Sequence, residues 1–328
     1  MNKETFYVGI DVGQEELVVC LDGFKPRSFK HNTMGIRKMV GWSREVSCDA
    51  ELHFCLEATG VYGYSLATSL VSRFGVRVSI VNPAQIASFA KAQLRRAKTD
   101  NIDARVILAF AQSQHPPCWK PESKMQRQLY HLVTQADKLR RILRQLSNRD
   151  HSFKYVLDLP AEIVKSQRSL HRSIERQLAG IQKAIEKLRT EDNELKERVD
   201  LLCSIPGIGS HSAVRILAYG KNIIEERDRK ALTAHAGLAP SQKQSGISIK
   251  GKSRIAKQGD CRLRSALYMP ALVAAYYNPT LRVFYKRLID KGKPKLLALV
   301  AVMKKLLLLI QAILKKKIPY RADYSPLT

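Results

Sequence analysis

The first third of the chain alternates between apolar, strand-like runs and helix-like segments, and the order of these elements limits the folds it can adopt. Three strand-like runs come first: FYVGIDV, then ELVVCLDG after a break at Gly13, then PRSFKHN. Helices and strands then alternate: MGIRKMVGWSREV is a predicted helix, LHFCLE a buried strand, residues 62–74 a helix, and VRVSIVNP a strand that Pro83 stops. Helical segments continue to about Gln114.

This order, β-β-β-α-β-α-β-α, is that of a ribonuclease-H-like fold, so we predict an α/β N-terminal domain. In such a sheet the first strand brings a carboxylate to the catalytic edge, and FYVGIDV carries Asp11 between two glycines. Glu57 ends LHFCLE, which would be a neighbouring central strand. Asp100 and Asp103 in KTDNIDAR are three residues apart, so they share one face of a helix.

These four carboxylates predict a magnesium site if the helix packs over the strand ends. Convergent carboxylates repel each other unless a hard cation joins them, and Mg²⁺ accepts such oxygens beside substrate phosphates. Two ions about 3.5–4 Å apart could clamp the attacking and leaving oxygens of a strand cleavage. Each residue also has an ordinary interpretation: Asp11 as a turn residue, Glu57 as a helix cap, and Asp100 with Asp103 as a first-turn pair stabilised by the helix dipole. Together, in this element order, they favour the metal site.

The charge of the chain predicts a polyanionic partner. Lys and Arg number 56 against 29 Asp and Glu, which gives a formal net charge of +27 and a pI near 10.0. A protein that neutralises phosphates releases their counterions, and this favours DNA or RNA as the partner. A solvated basic surface and an anionic membrane surface are the alternatives.

Other features of the composition argue against a secreted or membrane protein. The six cysteines are scattered without a CxxC pair, so we expect neither a disulfide framework nor a zinc site. The N-terminal MNKETFYVGI lacks the pattern of a signal peptide. Residues 296–314 are the most membrane-like stretch, but Lys304 and Lys305 at its centre would each cost about 2.5–3.5 kcal/mol in a bilayer. We therefore predict a buried helix, no membrane partner, and a cytoplasmic, nucleoid-associated bacterial protein.

Two heptad-like seams mark the middle of the chain. Apolar residues between Leu129 and Leu146, and again between Ile174 and Leu202, repeat at alternating spacings of three and four, with Asp192 interrupting the second seam. A break at residues 157–160 separates them. We predict two long helices and favour a dimerising coiled coil, while pairing within one chain or a plain bundle core remains open.

A tight turn follows the second seam. Ile205-Pro206-Gly207-Ile208-Gly209 resembles a helix-hairpin-helix turn, in which glycine permits the tight backbone and exposed N–H groups at the next helix start hold a phosphate. Such recognition is independent of base sequence. We therefore predict nucleic-acid contacts at Gly207 and Gly209, with a simple inter-helix loop as the alternative.

Farther along, Ser245-Gly246 lies in a loop rich in Ser, Gly and Gln, and a basic tract follows it. The predicted nucleic-acid-binding cations of this tract are Lys250, Lys252, Arg254, Lys257, Arg262 and Arg264. A serine hydroxyl is a poor nucleophile until nearby cations or metals activate it. From chemistry alone a turn serine is the simpler interpretation, and Ser241, Ser248 and Ser253 are equal candidates.

Taken together, these motifs resemble a known family. GID at Asp11, EATG at Glu57, KTD-x-x-DAR, IPGIG, AGLAP at 236–240, SG at 245–246 and ALYMPA at 266–271 occur in the order found in the DEDD-type insertion-sequence transposases, which include pilin-gene invertases and bridge-RNA-guided recombinases. The resemblance covers nearly the whole chain. The combination is specific, although no single motif is.

The resemblance implies more than the residues show by themselves. It implies a RuvC-like domain at 1–118 that binds Mg²⁺, coiled-coil dimerisation helices at 119–203, and a mainly helical C-terminal transposase domain at 204–328. It places the nucleophile on Ser245, which would form a covalent phosphoserine with DNA. The implied partners are target and donor DNA, a noncoding guide RNA, and further copies of the chain in a homodimer or tetramer.

Four functional hypotheses follow. The first is the recombinase. The second is a RuvC-like junction resolvase, or an invertase without a guide RNA; a resolvase uses metal-activated water and forms no covalent adduct. The third is an actin-like ATPase, because GIDVG also resembles a phosphate-binding hairpin, but a later Gly-rich adenosine motif is missing from the sequence. The fourth is a non-catalytic scaffold, in which the four carboxylates would be a coincidence.

Overall fold

The computed structural model describes residues 5–48, 50–58, 60–93, 100–241, 244–245, 249–250, 254–255 and 259–322. It describes only the backbone at residues 100–102, 240–241, 244–245, 249–250 and 254–255. The chain divides into two compact units, Met1–Pro121 and Glu122–Thr328. The first is mixed α/β with a five-stranded sheet, and the second is mostly helical.

The N-terminal unit has the element order predicted from the sequence. Its elements are β1 (Thr5–Val12), β2 (Glu16–Leu21), β3 (Arg27–Lys30), α1 (Thr33–Ser47), β4 (Glu51–Glu57), α2 (Gly60–Phe74), β5 (Arg77–Val81), α3 (Pro83–Ala92) and α4 (Asp100–Gln114). The sheet order is β3-β2-β1-β4-β5. The first three strands form an antiparallel meander, whereas β4 pairs parallel with both β1 and β5.

Side chains that alternate along the strands build two different faces of the sheet. On one face Val8 and Ile10 pack with Met39 of α1 and Leu66 of α2. The other face is covered by α4, whose Ile107 packs with Cys55 of β4 in a cluster of buried side chains. Residues of odd number in β1 and β4 therefore lie on the α4 side.

The C-terminal unit consists of helices and two small two-stranded sheets, β6-β9 and β7-β8. Its elements are α5 (Lys124–Phe153), α6 (Ala161–Glu191), α7 (Asn193–Cys203), α8 (Ser210–Gly220), α9 (Ile223–Glu226), α10 (Arg229–His235), β6 (Pro240–Ser241), β7 (Gln244–Ser245), β8 (Ile249–Lys250), β9 (Arg254–Ile255), α11 (Cys261–Tyr277), α12 (Pro279–Asp290) and α13 (Lys295–Lys316). One large cluster of buried side chains, from α5 to α13, forms the core of the unit.

The two long helices pack against each other within the chain. Leu139 and Leu146 of α5 form a buried cluster with Ile174 of α6, and Gln167 Nε2 donates to the Leu146 carbonyl at 3.4 Å. Residues near the C-terminal end of α5 contact residues near the N-terminal end of α6, so the two helices form an antiparallel hairpin. The apolar seams therefore have a partner inside one chain, and pairing between protomers stays a prediction. The second seam is split at Asp192, whose side chain caps α7.

Among the described residues, α13 is the one helix long and apolar enough to cross a membrane by length and composition, with a mean hydropathy of 2.2. Within that stretch 56% of the residues are buried inside the protein. Lys305 lies with its Nζ 4.6 Å from the centre of the Phe284 ring on α12. This burial and packing agree with the predicted core helix.

Candidate active site

Two of the four predicted carboxylates occupy neighbouring positions at one edge of the sheet. In the parallel pair β1–β4, Gly9 is opposite Cys55 and Ile10 is opposite Leu56. The next position on each strand is Asp11 and Glu57, and adjacent strands lie roughly 4.8 Å apart. The sheet therefore brings both carboxylates to the carboxyl ends of its central strands. Both side chains are half-buried.

The direction of α4 places its first turn at the same edge. The backbone at Gly9 touches α4, because a Cβ there would lie 2.5 Å from the Ala104 carbonyl oxygen and 2.6 Å from the Leu108 nitrogen. Tyr7, two residues earlier, donates to or accepts from His115 Nδ1 at 3.0 Å, just beyond the end of α4. The helix thus runs antiparallel to β1, and its N-terminal turn approaches the end that carries Asp11.

Asp100 and Asp103 begin this helix. Asp103 is half-buried, and Asp100 is described by its backbone alone. Among the side chains that the structure describes, no three His, Cys, Asp or Glu residues form a metal-binding group, and Asp100 lies outside that set. The donors are nevertheless the hard oxygens that Mg²⁺ takes, on elements that meet at one edge. The four-residue site therefore remains a prediction that the backbone geometry favours.

Two aromatic side chains that sequence reasoning missed border this edge. His31 follows β3, and its Nδ1 lies 2.8 Å from the Gly13 carbonyl oxygen, in the turn after Asp11. Tyr62 lies in the first turn of α2, and its ring centre is 6.1 Å from that of His31, edge to face. The only signal in the sequence was the aromatic-rich VYGY that follows EATG.

A buried histidine, also missed, lies toward the opposite edge. His53 is 2% exposed, and its Nε2 is 2.7 Å from Ser79 Oγ. The Ser79 hydroxyl donates its proton to the Pro117 carbonyl at 2.8 Å, because a carbonyl oxygen can only accept. Ser79 Oγ must therefore accept from His53, so the proton of the imidazole is on Nε2. Burial first, and Arg77 second, lower the pKa of His53 to about 4. These bonds attach residues 116–119 to the sheet and make the role of His53 structural.

In the C-terminal unit, the Pro-Gly turn joins α7 to α8. Gly207 has φ +109°, and a Cβ there would lie 2.7 Å from the Ala274 Cβ of α11, so glycine is required for both conformation and space. Gly209 is exposed at the start of α8, where no side chain caps the helix. The N–H groups at the start of α8 could therefore hold an anion. Gly207 has a different role, because it allows close packing of the turn against α11.

The segment that carries Ser245 folds back on itself. Ser241 pairs with Arg254, Gln244 with Lys250, and Ser245 with Ile249, all antiparallel. The backbone therefore forms a hairpin arm, and Ser245–Ile249 is its innermost described pair. Sequence reasoning predicted a loop here, since strands of two residues show no period.

The AGLAP motif forms the base of this arm. Gly237 has φ +64°, and a Cβ there would overlap Arg264 Nη1. Arg264 donates to the Ala236 carbonyl at 3.1 Å. A Cβ on Gly259, at the other end of the arm, would overlap the His235 carbonyl oxygen. Backbone contact therefore requires glycine at position 259, whereas at position 237 the positive φ favours it.

The predicted cations take different positions. Lys250 and Arg254 lie on the returning strands of the arm, and Lys252 and Lys257 lie outside the described residues. Arg262 is exposed and lies over the Tyr130 ring of α5, with its guanidinium carbon 5.7 Å from the ring centre. Arg264 is half-buried and holds the base of the arm.

Comparison with known proteins covers both units. A DEDD transposase family of IS110 elements matches residues 8–158, and the family described as Transposase IS116/IS110/IS902 matches residues 199–286. The pilin gene-inverting proteins of Moraxella bovis and Moraxella lacunata are each 31% identical over 320 residues, covering 96% of this chain and 97% of theirs. The uncharacterized 43.6 kDa protein of insertion element IS110 from Streptomyces coelicolor is 27% identical over 146 residues, covering 44% of this chain and 36% of its own.

The first match includes Asp11, Glu57, Asp100 and Asp103, and the second includes Ser245 and the Pro-Gly turn. The relatives from Moraxella extend the likeness over almost the full length of both chains. The chain therefore belongs to the IS110 family of insertion-sequence transposases, which are DNA recombination enzymes.

Proposed function

We propose that this protein cleaves and rejoins DNA strands as the transposase of an insertion sequence, with its catalytic carboxylates at the carboxyl edge of the N-terminal sheet. The observation that carries the proposal is the register of β1 and β4, which puts Asp11 beside Glu57 while α4 approaches the same edge. The strand order β3-β2-β1-β4-β5 supports a ribonuclease-H-like, RuvC-like domain. We take this domain to be residues 1–118.

Asp11, Glu57, Asp100 and Asp103 would hold Mg²⁺ at this edge. When bound, the ion would supply positive charge beside the phosphate that reacts. The chain's own contribution is to gather the carboxylates and to fix their direction, because two come from paired strands and two from one helical turn.

Ser245 is the proposed nucleophile. Its Oγ would lose a proton to solvent and form a bond to phosphorus, while the bond from phosphorus to a sugar oxygen breaks and that oxygen takes up a proton from solvent and leaves as a hydroxyl. Attack by a second strand's hydroxyl on the phosphoserine would rejoin DNA and restore Ser245. No bond energy is lost, so the exchange needs no external energy source. Lys250 and Arg254, on the same arm, would neutralise the phosphate.

DNA and a noncoding guide RNA are the proposed partners in the nucleoid. The net charge of +27 supports either polyanion, and guidance by RNA is supported by the family resemblance alone. The exposed start of α8 supports a phosphate contact there. We propose residues 119–203 as the dimerisation region of a homodimer or tetramer, and residues 204–328 as the transposase domain.

Trapping the covalent intermediate tests the serine step. The full-length protein is incubated with DNA that contains the element ends, denatured, digested and analysed by mass spectrometry for a nucleotide-bearing peptide. We expect the adduct on Ser245, its loss in Ser245→Ala, and its retention in Ser241→Ala. An adduct on another serine would move the nucleophile, and strand cleavage without any adduct would support the resolvase mechanism.

Site-specific inversion is a second candidate outcome, because the two Moraxella relatives are named pilin gene-inverting proteins. Inversion and insertion can use the same cleavage chemistry and differ in how the ends are rejoined. Sequencing of recombined DNA from cells that carry the element distinguishes the two. Inverted segments between fixed junctions would support inversion, and new junctions at distant sites would support insertion.

A further inference from the structure

The helix that follows Glu57 has an exposed apolar first turn. Val61 is 76% exposed, Tyr62 is 45% exposed and Tyr64 is 43% exposed, whereas the next turn of α2 buries Leu66. An exposed aromatic ring beside a candidate reaction centre offers a flat apolar face to a ligand. This turn begins three residues after the carboxylate that ends β4, so it belongs to the same edge of the sheet.

The Tyr62 ring is in contact with His31, the residue that follows β3. The His31 backbone N–H donates to the Glu15 carbonyl at 2.7 Å, and His31 Nδ1 lies 2.8 Å from the Gly13 carbonyl. A carbonyl oxygen only accepts, so Nδ1 carries the proton. The imidazole is thereby fixed to the turn that follows Asp11, and it meets the Tyr62 ring at an interplanar angle of 65°.

We propose that Tyr62, supported by His31, is a stacking platform for a nucleobase of the DNA strand whose phosphate reacts at the carboxylate edge. This inference rests on the proposed function, because it takes that edge as the reaction centre. An aromatic face accepts any base, since every base has a π face. The platform would hold the strand in register with Asp11 and Glu57 without reading its sequence. Tyr62 is therefore a positioning residue.

The size and charge of the platform favour a base over other occupants. A stable protein partner covers about 20–30 residues on each side, far more than three exposed side chains. The turn beside His31 exposes Glu15 and Glu16, which repel a phosphate. The uncharged base is the part of a nucleotide that fits against Tyr62 beside this acidic turn. Its phosphate would then lie toward the carboxylate edge.

Photocrosslinking tests the platform directly. Full-length protein is irradiated with a single-stranded DNA oligonucleotide containing 5-iododeoxyuridine, and the crosslinked peptides are mapped by mass spectrometry. We expect a crosslink at Tyr62. Tyr62→Phe keeps the ring and should retain the crosslinked yield of this peptide within about twofold, whereas Tyr62→Ala removes both the reacting ring and the stacking surface and should lower it at least about tenfold. Tyr277→Ala, at a residue that is 75% exposed on α11, is the matched control and should leave the yield unchanged.

Three results would overturn the proposal: no crosslink at Tyr62 in the wild-type protein, equal yields at this peptide in Tyr62→Ala and Tyr277→Ala, or a stronger crosslink at Tyr62 from a 5-iodouridine RNA of the same sequence. If Tyr62→Ala does not fold, the crosslink yields of the wild-type protein and of Tyr62→Phe still test the proposal. Asp11→Asn in the same assay separates the two proposals, because it should retain the crosslink. If Asp11→Asn loses recombination and the wild-type protein gives no crosslink at Tyr62, the platform proposal is wrong and the proposed function still stands.

Discussion

At the scale of single residues, Gly9 shows how the site depends on backbone packing. It lies where β1 meets α4, and a Cβ there would come within 2.6 Å of two backbone atoms of that helix. Backbone atoms cannot turn aside as a flexible side chain can. The helix that carries Asp100 and Asp103 approaches the sheet only because position 9 has no side chain.

Gly9→Ala should therefore displace α4 and lower both stability and recombination. Overpacking typically costs about 1–3 kcal/mol, and we expect a loss of that size in the free energy of unfolding. Urea unfolding measures it. The matched control is Gly41→Ala in α1, where a Cβ meets nothing within 4 Å and alanine should be neutral or stabilising by about 0.5–1 kcal/mol. Equal stability of the two variants would contradict this packing.

The buried His53 predicts acid sensitivity of the N-terminal unit. Its pKa is about 4 in the fold and about 6.5 in the unfolded chain, so the unfolded chain binds a proton first as the pH falls. The contribution is complete above pH 6.5 and is lost progressively toward pH 4, by about 2 kcal/mol at pH 5. Denaturant unfolding at pH 7 and pH 5 should show this loss in the wild type and a smaller one in His53→Gln. An equal loss in both would rule out His53 as its source.

The sequence predicted the four acidic residues because Asp11 and Glu57 end strand-like runs and because Asp100 and Asp103 share one face of a helix. It did not locate His31 and Tyr62, since their contact joins the end of β3 to the start of α2 and neither lies in a periodic pattern. It also gave no sign that His53 is buried, because a histidine in an apolar strand can face either side of the sheet.

At the scale of elements, the α5–α6 hairpin is joined to α8 through Asp137. Its Oδ2 accepts from Arg215 Nη2 at 2.9 Å and from the Tyr219 hydroxyl at 2.8 Å, and Arg140 donates to Oδ1 at 3.1 Å. Burial, and then this hydrogen bond, raise the pKa of Tyr219. The long hairpin and the helix of the Pro-Gly turn thus share one polar network.

Asp137→Asn should cost about 1–3 kcal/mol of unfolding free energy, because the Arg215 and Tyr219 donors lose a charged acceptor in a partly buried site. Chemical denaturation measures the loss. Tyr219→Phe removes one of these bonds, so the double variant should be less destabilised than the sum of the single variants. Strict additivity would show that the two side chains do not act together.

The heptad seams predicted both long helices and the break near residue 158, because apolar spacing of three and four is specific for helices. The seams did not predict which helix packs against them, since an apolar stripe packs equally well within a chain or between chains. The hairpin arm around Ser245 was missed for a different reason. Its paired segments are two residues long, and the close backbone contact at Gly259 in its base leaves no repeating pattern in the sequence.

At the scale of the whole molecule, charge predicts how binding responds to salt. Removing one cation that neutralises a phosphate reduces the slope of log affinity against log salt by roughly 0.9 on duplex DNA. Lys250→Ala combined with Arg254→Ala should therefore flatten the slope by about 2. Fluorescence anisotropy at several salt concentrations measures it. Lys183→Ala, at an exposed residue of α6, should leave the slope unchanged, and a double variant that matched this control would place the arm away from phosphate.

The sequence predicted a mixed α/β N-terminal part and a helical remainder, because the change from strand-like runs to heptads is abrupt. The structure groups residues 122–328 as one compact unit, whose core cluster runs from Leu129 of α5 to Leu314 of α13. The finer division at residue 203 stays a prediction. Spacing along a chain does not reveal that distant helices share one core.

The central claim is that the carboxyl edge of the sheet is the catalytic centre, and recombination by Asp11→Asn tests it most directly. The substitution keeps size and shape and removes one charge, and Asp22→Asn, at an exposed residue after β2, is the matched control. Joined DNA products are counted by sequencing from cells that carry the element ends. The proposed site predicts at least about a hundredfold loss for Asp11→Asn, corresponding to roughly 2.7 kcal/mol, and full activity for Asp22→Asn. Undiminished recombination by a folded Asp11→Asn protein would contradict it.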